Sequence, residues 1–325
     1  MRGSPKSLGR PKFEPSPRSR YSRFVTSHAR ATESPAQVLF GPSEWGFTAL
    51  IAIIWGASFL FIRLGVESFG AGLVPLMRIA FGAMALALAP SARKPIARRD
   101  WPVVALLGLL WMAAPFLLFS IAEQSVPTAI TGMINGAVPL STAFVAAILH
   151  RRAPSPRRAV ALLFGLVGVI VIALALSHDA ASKADSAGVA MLFVGILCYG
   201  VSGNLSVPLQ RRDGSLPVIL RVQLVALVLS APYGLYTCRT ASFTWVGLGA
   251  MVVLGALGTG VAYAIAATLA GRTDATRGAI GVFLTPVVAT LLGVLVRRES
   301  LPGGAFVGAG LVLVGAVLTS RPEDA

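Results

Sequence analysis

What this sequence has little of excludes most enzyme chemistry. Its 325 residues include two cysteines, three histidines and 13 carboxylates. Cys198 and Cys238 fall in apolar runs, with neither a disulfide framework nor metal-ligand spacing. No carboxylate occupies the middle of an apolar run: Glu67 and Glu123 lie at run ends, and the others read as loop or tail. Glu123, beside Gln124, reads as a solvated helix end, with titration at a cavity mouth as the alternative. A membrane-embedded transferase would need a carboxylate pair such as D-x-x-D to hold metal and diphosphate, or a nucleophile with its base, and neither is present. There is no P-loop, so ATP does not drive the protein directly. His28, His150 and His178 read as solvated. The expectation is a non-enzyme without cofactor or metal.

What is abundant is apolar. The chain is 55% hydrophobic and 13% charged, with a mean hydropathy of +0.76. A soluble protein of this size needs far more surface charge, so the class is a polytopic membrane protein. The net charge of +15 does not point to nucleic acid, because the cations sit between apolar runs and in the N-terminal arm. That arm, residues 1–44, is rich in Arg, Ser and Pro and reads as a disordered basic tail. An organellar transit peptide is the alternative, weakened by Glu14 and Glu33.

Ten apolar runs follow, near 47–66, 72–90, 101–121, 127–149, 159–176, 187–207, 216–237, 245–270, 275–296 and 302–320. Each is about the roughly 20 residues that cross a bilayer as a helix. The runs repeat. Pro139 falls on Pro286, His150-Arg151 on Arg297-Arg298 and Gly168 on Gly315 at an offset of 147, while Trp55-Gly56-Ala57-Ser58 returns as Tyr199-Gly200-Val201-Ser202 at 144. A duplicated unit of five helices enters the membrane from opposite sides, which makes an inverted repeat: a first unit over 45–176, a second over 187–320 and a tail at 321–325. Lys and Arg concentrate in alternate connections (Arg93, Lys94, Arg98 and Arg99; Arg151, Arg152, Arg157 and Arg158; Arg211 and Arg212; Arg272 and Arg277), which places both termini in the cytoplasm.

These features resemble the EamA family of the drug/metabolite transporter superfamily. The resemblance covers about residues 45–320. It rests on W-G-x-S-F at 55–59, L-M-R-I-A at 76–80, the proline-centred fourth helix with its basic turn, and GTGVAYAIAATL and DATRGAIGVFLTPVVATLLGVLVRRESL in the second copy. It implies an all-α membrane protein of ten helices in two inverted five-helix repeats, moving a small polar metabolite by alternating access. Export of amino acids or related compounds is the expected function. Sugar-phosphate or nucleotide-sugar exchange is the rival within the superfamily, and a membrane receptor or structural protein the rival outside it. Two positions depart from the family pattern: Arg152 and Thr285 stand where an acidic residue is usual. Small multidrug exporters resemble a half-size relative with a buried first-helix glutamate; here that helix reads IAIIWGASFLFI, so coupling through a midplane carboxylate is not expected.

Polar residues inside the runs are the site candidates. Gly132, Asn135, Gly136 and Pro139 share one helical face by their spacing. The glycines would let a neighbour approach, as would Gly304 and Gly308, and Asn135 would bond either substrate or another helix. The repeat-equivalent Ala279, Val282, Phe283 and Pro286 are apolar, so one wall is expected to be polar and the other greasy. Trp55 and Ser58 share a face of the first helix, and Tyr199 and Ser202 the matching face of the sixth. Arg78 and Arg221, and with them Tyr263, are further candidates for the cavity, where an arginine favours carboxylate or phosphate; snorkelling is the alternative for both arginines. The expected partners are a small-molecule substrate and the lipid bilayer, with no nucleic acid and with a homodimer left open. The expected location is a bacterial inner membrane, or an organellar one if the arm is a transit peptide.

Overall fold

An apolar run in hydrocarbon must satisfy its own amides, which forces it into helix. The computed structural model describes residues 42–149, 151, 153–178, 185–266 and 280–320, and these are helical apart from short connections. Residues 1–41 of the N-terminal arm, His150, Arg152, Lys183, Thr268, Arg272, Arg277, Ala279 and the tail lie outside the described residues, as do the side chains of Val282 and Phe283, whereas 42–44, expected to belong to the arm, are already helical.

Helix α1 (Pro42–Ala87) is two arms joined at Gly70, whose φ of 72° and ψ of 164° suit only glycine. Helix α2 (Trp101–Leu107) passes through a π-helical stretch, Gly108–Ala113, into α3 (Ala114–Ala122). Helices α4 (Thr128–Asn135) and α5 (Val138–Leu149) form one span bent between them. The bend has a covalent cause: Pro139 has no N–H to offer the carbonyl of Asn135 four residues back. Then come α6 (Pro156–His178), α7 (Ser186–Asp213), α8 (Ser215–Thr237) and α9 (Trp245–Val253), which continues as a π-helical stretch over Leu254–Val261. Helices α10 (Ile280–Leu295) and α11 (Gly303–Ser320) close the described chain. Seven of the described helices are long and apolar enough to cross a membrane, and two shorter apolar stretches accompany them.

The bundle has two distinct ends. At one, the Ser242 amide donates to the Ser68 carbonyl at 2.8 Å, Arg297 reaches Glu67, and Glu299 accepts from the first amides of α4. This is the Gly70 end. At the other, Arg212 lies 2.6 Å from Asp100, and Arg221 donates to the carbonyls of Ala92 and Arg93. This is the Gly214 end.

Backbone irregularities recur along the chain. Gly214 has a positive φ of 87°, as Gly70 does of 72°, and the two non-glycine residues with positive φ among those described are Arg151 (51°) and Arg298 (54°). The two π-helical stretches, 108–113 and 254–261, fall at a similar separation. Packing recurs as well: a Cβ on Gly56 would meet Val288 of α10 at 2.4 Å, and one on its counterpart Gly200 would meet Ser141 of α5 at 2.3 Å.

Lipid tails are as apolar as leucine, so helices associate through close packing of small residues. Antiparallel α6 and α11 are the tightest case: a Cβ on Gly168 would lie 2.6 Å from the Gly308 carbonyl oxygen, and one on Gly308 would lie 2.5 Å from that of Gly168. Backbone cannot yield as a flexible side chain does. Gly168→Leu should therefore destabilise the bundle by about 1–3 kcal/mol or more, read as a lower melting temperature of the detergent-solubilised protein; an unchanged Tm would contradict this contact.

Candidate functional site

Both arms of α1, together with α3, α4, α5, α7 and the residues after the π-helical stretch of α9, enclose a cavity of about 340 Å³. Its centre is Arg78, on the second arm of α1 and 7% exposed. The residue lies eight positions past Gly70, about 12 Å along a helix. Its side chain turns into the cavity and not toward the membrane surface: Nε donates to Thr259 Oγ1 at 2.8 Å, and the guanidinium carbon lies 3.8 Å above the centre of the Phe116 ring. Such a cation–π contact suits a desolvated cation.

The π-helical stretch presents Thr259. Its hydroxyl also donates to the Leu254 carbonyl five residues back, at 3.4 Å. Gln223 Nε2 donates to the Thr259 carbonyl at 2.7 Å. One chain of contacts, Arg78–Thr259–Gln223, thereby joins α1, α9 and α8.

Aromatic rings make up much of the remaining wall. Trp55 Nε1 donates to the Gly258 carbonyl at 3.1 Å. Tyr263 stands edge-on between Trp55 and Trp111, 5.7 Å from each ring centre. Phe119 lies 5.9 Å from Tyr199. Ser58 and Asn135 add polar groups to the lining, and among the described lining residues there is no carboxylate. Toward the Gly70 end, Phe59, Ile62 and Phe119 are buried; toward the Gly214 end, Thr142, Gly203, Gln210 and Ala266 are half-exposed. A buried guanidinium without a facing carboxylate is costly by itself, and an anionic group from a solute would offset that cost. The chemistry available is therefore recognition of a small anion-bearing molecule with an apolar or aromatic body.

Of the residues singled out from sequence, Trp55, Ser58, Arg78, Asn135, Tyr199 and Tyr263 come together on this lining. Others lie elsewhere. Arg221 holds the connection at Ala92 and Arg93. Ser202 is fully buried and donates to the Tyr199 carbonyl. The expected shared face of Gly132, Asn135, Gly136 and Pro139 is split. Gly132 and Gly136 press on Ala289 and Pro286 of α10, at 2.2 and 2.8 Å from an added Cβ, while Asn135 borders the cavity. Successive residues of a helix point about 100° apart, so Gly132 and Gly136 meet α10 while Asn135 turns to the cavity. Gly304 and Gly308 pack against Ala175, Gly168 and Ile172 of α6. Glu123 is 0% exposed, contrary to the solvated end expected of it.

Trp111, Phe116, Phe119, Thr142 and Gln210 also line the cavity and were not singled out. The π-helical stretch hides the first two: it inserts a residue, so Trp111 and Phe116 share a wall at a spacing of five, which neither helical template flags. A larger hollow, about 840 Å³ between α5, α6 and α7, has an almost wholly apolar lining. Its rim includes the exposed Ile148, Leu163, Leu166 and Leu197, so it belongs to the apolar flank of the bundle and offers a polar solute nothing.

Thr259→Val would leave Nε of Arg78 without its acceptor. A hydrogen bond to a charged group is worth about 1.5–3 kcal/mol, so this variant should melt measurably lower in detergent; an unchanged Tm would contradict the Arg78–Thr259 contact.

Comparison with known proteins returns one family model, the EamA-like transporter family, matched over residues 45–174 and again over 186–321. A probable terminal-alkyne amino-acid exporter of Streptantibioticus cattleyicolor is 26% identical over 281 residues, covering 84% of this chain and 91% of its own. An uncharacterised transporter of Archaeoglobus fulgidus is 21% identical, covering 86% of this chain and 99% of its own. An uncharacterised inner membrane transporter of Escherichia coli K12 is 25% identical, covering 84% and 90%. A protein crystal structure shares the fold at a TM-score of 0.55 and 22% identity, covering 85% of this chain and 96% of its own.

Proposed function

Since the chain belongs to the EamA-like transporter family, and is thereby an integral membrane transporter and not an enzyme, we propose that it exports amino acids or related carboxylate-bearing metabolites by alternating access. The observation that carries this reading is Arg78, buried in an aromatic cavity whose described lining holds no carboxylate. An amino acid supplies the missing carboxylate, and its side chain meets the rings of Trp55, Trp111, Phe116 and Tyr263. The printed name of the Streptantibioticus relative, a probable amino-acid exporter, supports the same class.

The architecture in this reading is ten spans in two five-helix units, 45–176 and 187–320, threaded in opposite senses. Four observations support it: α1 turns at Gly70, Gly214 turns likewise, the positive φ of Arg151 recurs at Arg298, and both units carry a π-helical stretch. The Gly214 end carries Arg93, Lys94, Arg98, Arg99, Arg211 and Arg212 and is assigned to the cytoplasm. The membrane is taken to be a bacterial inner membrane, in line with the name of the Escherichia coli relative. With the Gly70 end packed and the Gly214 end looser, this is a cytoplasm-facing state that rocks to release solute outside. The cavity is built within one chain, so a homodimer is not required. Sugar-phosphate or nucleotide-sugar exchange is disfavoured because it calls for paired cations, and Arg221 faces away from Arg78's cavity.

In reconstituted vesicles, Arg78→Gln should cut transport of a carboxylate-bearing amino acid about 10- to 100-fold while sparing its amide, in which a neutral carboxamide replaces the carboxylate; equal loss of both would overturn the substrate assignment. Gly132→Leu wedges α4 from α10, where an added Cβ already lies 2.2 Å from Ala289. It should abolish flux while membrane insertion persists, and normal flux would count against rocking between the units.

A further inference from the structure

The Gly70 end is locked by ions drawn from both halves of the chain. Glu67 accepts from Arg63 Nε at 2.9 Å on its own helix, and Arg297, 230 residues away, lies 2.5 Å from the same carboxylate. Glu299 accepts from the amides of Thr128 and Ala129 at 2.8 and 2.9 Å, pinning the start of α4 to the connection after α10. Beneath this lattice, buried Phe59, Ile62, Phe119 and Met133 separate it from the cavity.

Glu123 sits inside the lattice, just past the end of α3. It is 0% exposed, and both carboxylate oxygens are buried with no hydrogen-bond partner. Each cation that acts on it is engaged with another group. Arg63 donates to Glu67 and to the backbone carbonyl of Glu123 itself, not to its side chain. Arg297 is committed to Glu67, and Arg78 to Thr259 and Phe116. Glu299, on the connection after α10, faces it with a like charge. On the side of α7, Asp185 caps its own helix at Ala187. An ionised carboxylate in this position would be buried, unbonded and beside a second anion.

On the footing that the chain is an alternating-access transporter, we propose that Glu123 is a proton-binding site whose ionisation opens the Gly70 end of the bundle. With that end closed, the carboxyl is held as the neutral acid. When the Glu67–Arg297 contact parts, water reaches Glu123, its proton leaves to water on that side, and the released Arg297 is free to pair with the carboxylate. Closure takes the proton back. Burial raises the Glu123 carboxyl well above the ordinary carboxylate range, with Glu299 adding to the shift and Arg63, Arg78 and Arg297 opposing it. The sign follows from linkage. The closed state binds the extra proton, so its advantage is complete below the carboxyl's hydrated value and is lost as pH rises through its closed-state value. Acid closes the Gly70 end and alkali opens it. The pH on the far side thereby gates outward passage of a solute, with no net movement of protons and no carboxylate in the cavity itself.

The test uses the full chain with Cys198→Ala and Cys238→Ser and one probe thiol, Ile62→Cys, on the cavity wall below the gate. A charged, membrane-impermeant maleimide is applied only at the Gly70 side of oriented vesicles. The labelling rate is divided by that of the same protein carrying E123Q, which cancels the thiol's own ionisation. The ratio should rise at least about fivefold between about pH 5.5 and about pH 8.5, with Glu123→Asp keeping a rise at a displaced midpoint. A ratio flat across pH overturns the proton site. Should E123Q not reach the membrane, the parent is divided by a thiol at exposed Phe243 (Phe243→Cys) in the connection at the same end, and a flat ratio is again fatal. Glu67→Gln, which removes the anchor of Arg297, should allow labelling at every pH. If Ile62→Cys stays unlabelled even there, the cavity does not reach that side, and the transport reading falls along with the proton site. Labelling that ignores both pH and Glu123 overturns the proton site alone.

Discussion

A guanidinium at membrane depth, in a cavity whose described lining holds no carboxylate, is the constraint on which the rest of this structure depends. Insertion scales put roughly 3 kcal/mol on an arginine at a helix centre. The fold meets that cost with a hydrogen bond to Thr259 and the face of the Phe116 ring. The π-helical stretch of α9 exists at the level where Thr259 must face Arg78, and that of α2–α3 lies just before Phe116. Both backbone irregularities thus serve one side chain. The aromatic rings then confine the charge to a hollow suited to a small molecule.

The two ends of the bundle divide the work. At the Gly70 end, salt bridges and a capped helix start hold α1, α4 and the connection after α10 together above a layer of buried apolar side chains. At the Gly214 end, the corresponding ties, Arg212 to Asp100 and Arg221 to Ala92 and Arg93, bind connections to one another beside a half-exposed cavity lining. The Glu67 ion pairs are partly exposed, with side chains 28–39% accessible, so their individual worth is small. A lattice of weak, water-accessible ties over a dry layer can open without large cost, as the proposed gate requires.

Helix existence was legible from the apolar runs because lipid leaves the backbone no alternative, and the duplication was legible because its glycines and prolines recur at fixed offsets. Arg78, Trp55 and Tyr263 were legible as polar or amphipathic residues at depth. Three things were not. Trp111 and Phe116 share a wall only because a π-turn alters the phase. Gly132 and Gly136 meet α10 while Asn135 meets the cavity, and a single stripe does not say which neighbour each of its edges will face. Glu123 looked like a solvated terminus because its burial comes from elements more than fifty residues away in sequence, Arg63 and Glu299 among them. Local pattern carries no trace of such contacts.

The most direct measurement of the central claim is binding to the purified protein, followed by tryptophan fluorescence, since Trp55 and Trp111 both line the cavity. An apolar amino acid and its methyl ester differ in the group that Arg78 would read. The account predicts saturable binding of the free acid and affinity for the ester weaker by about tenfold or more. Equal affinity for the two would contradict it.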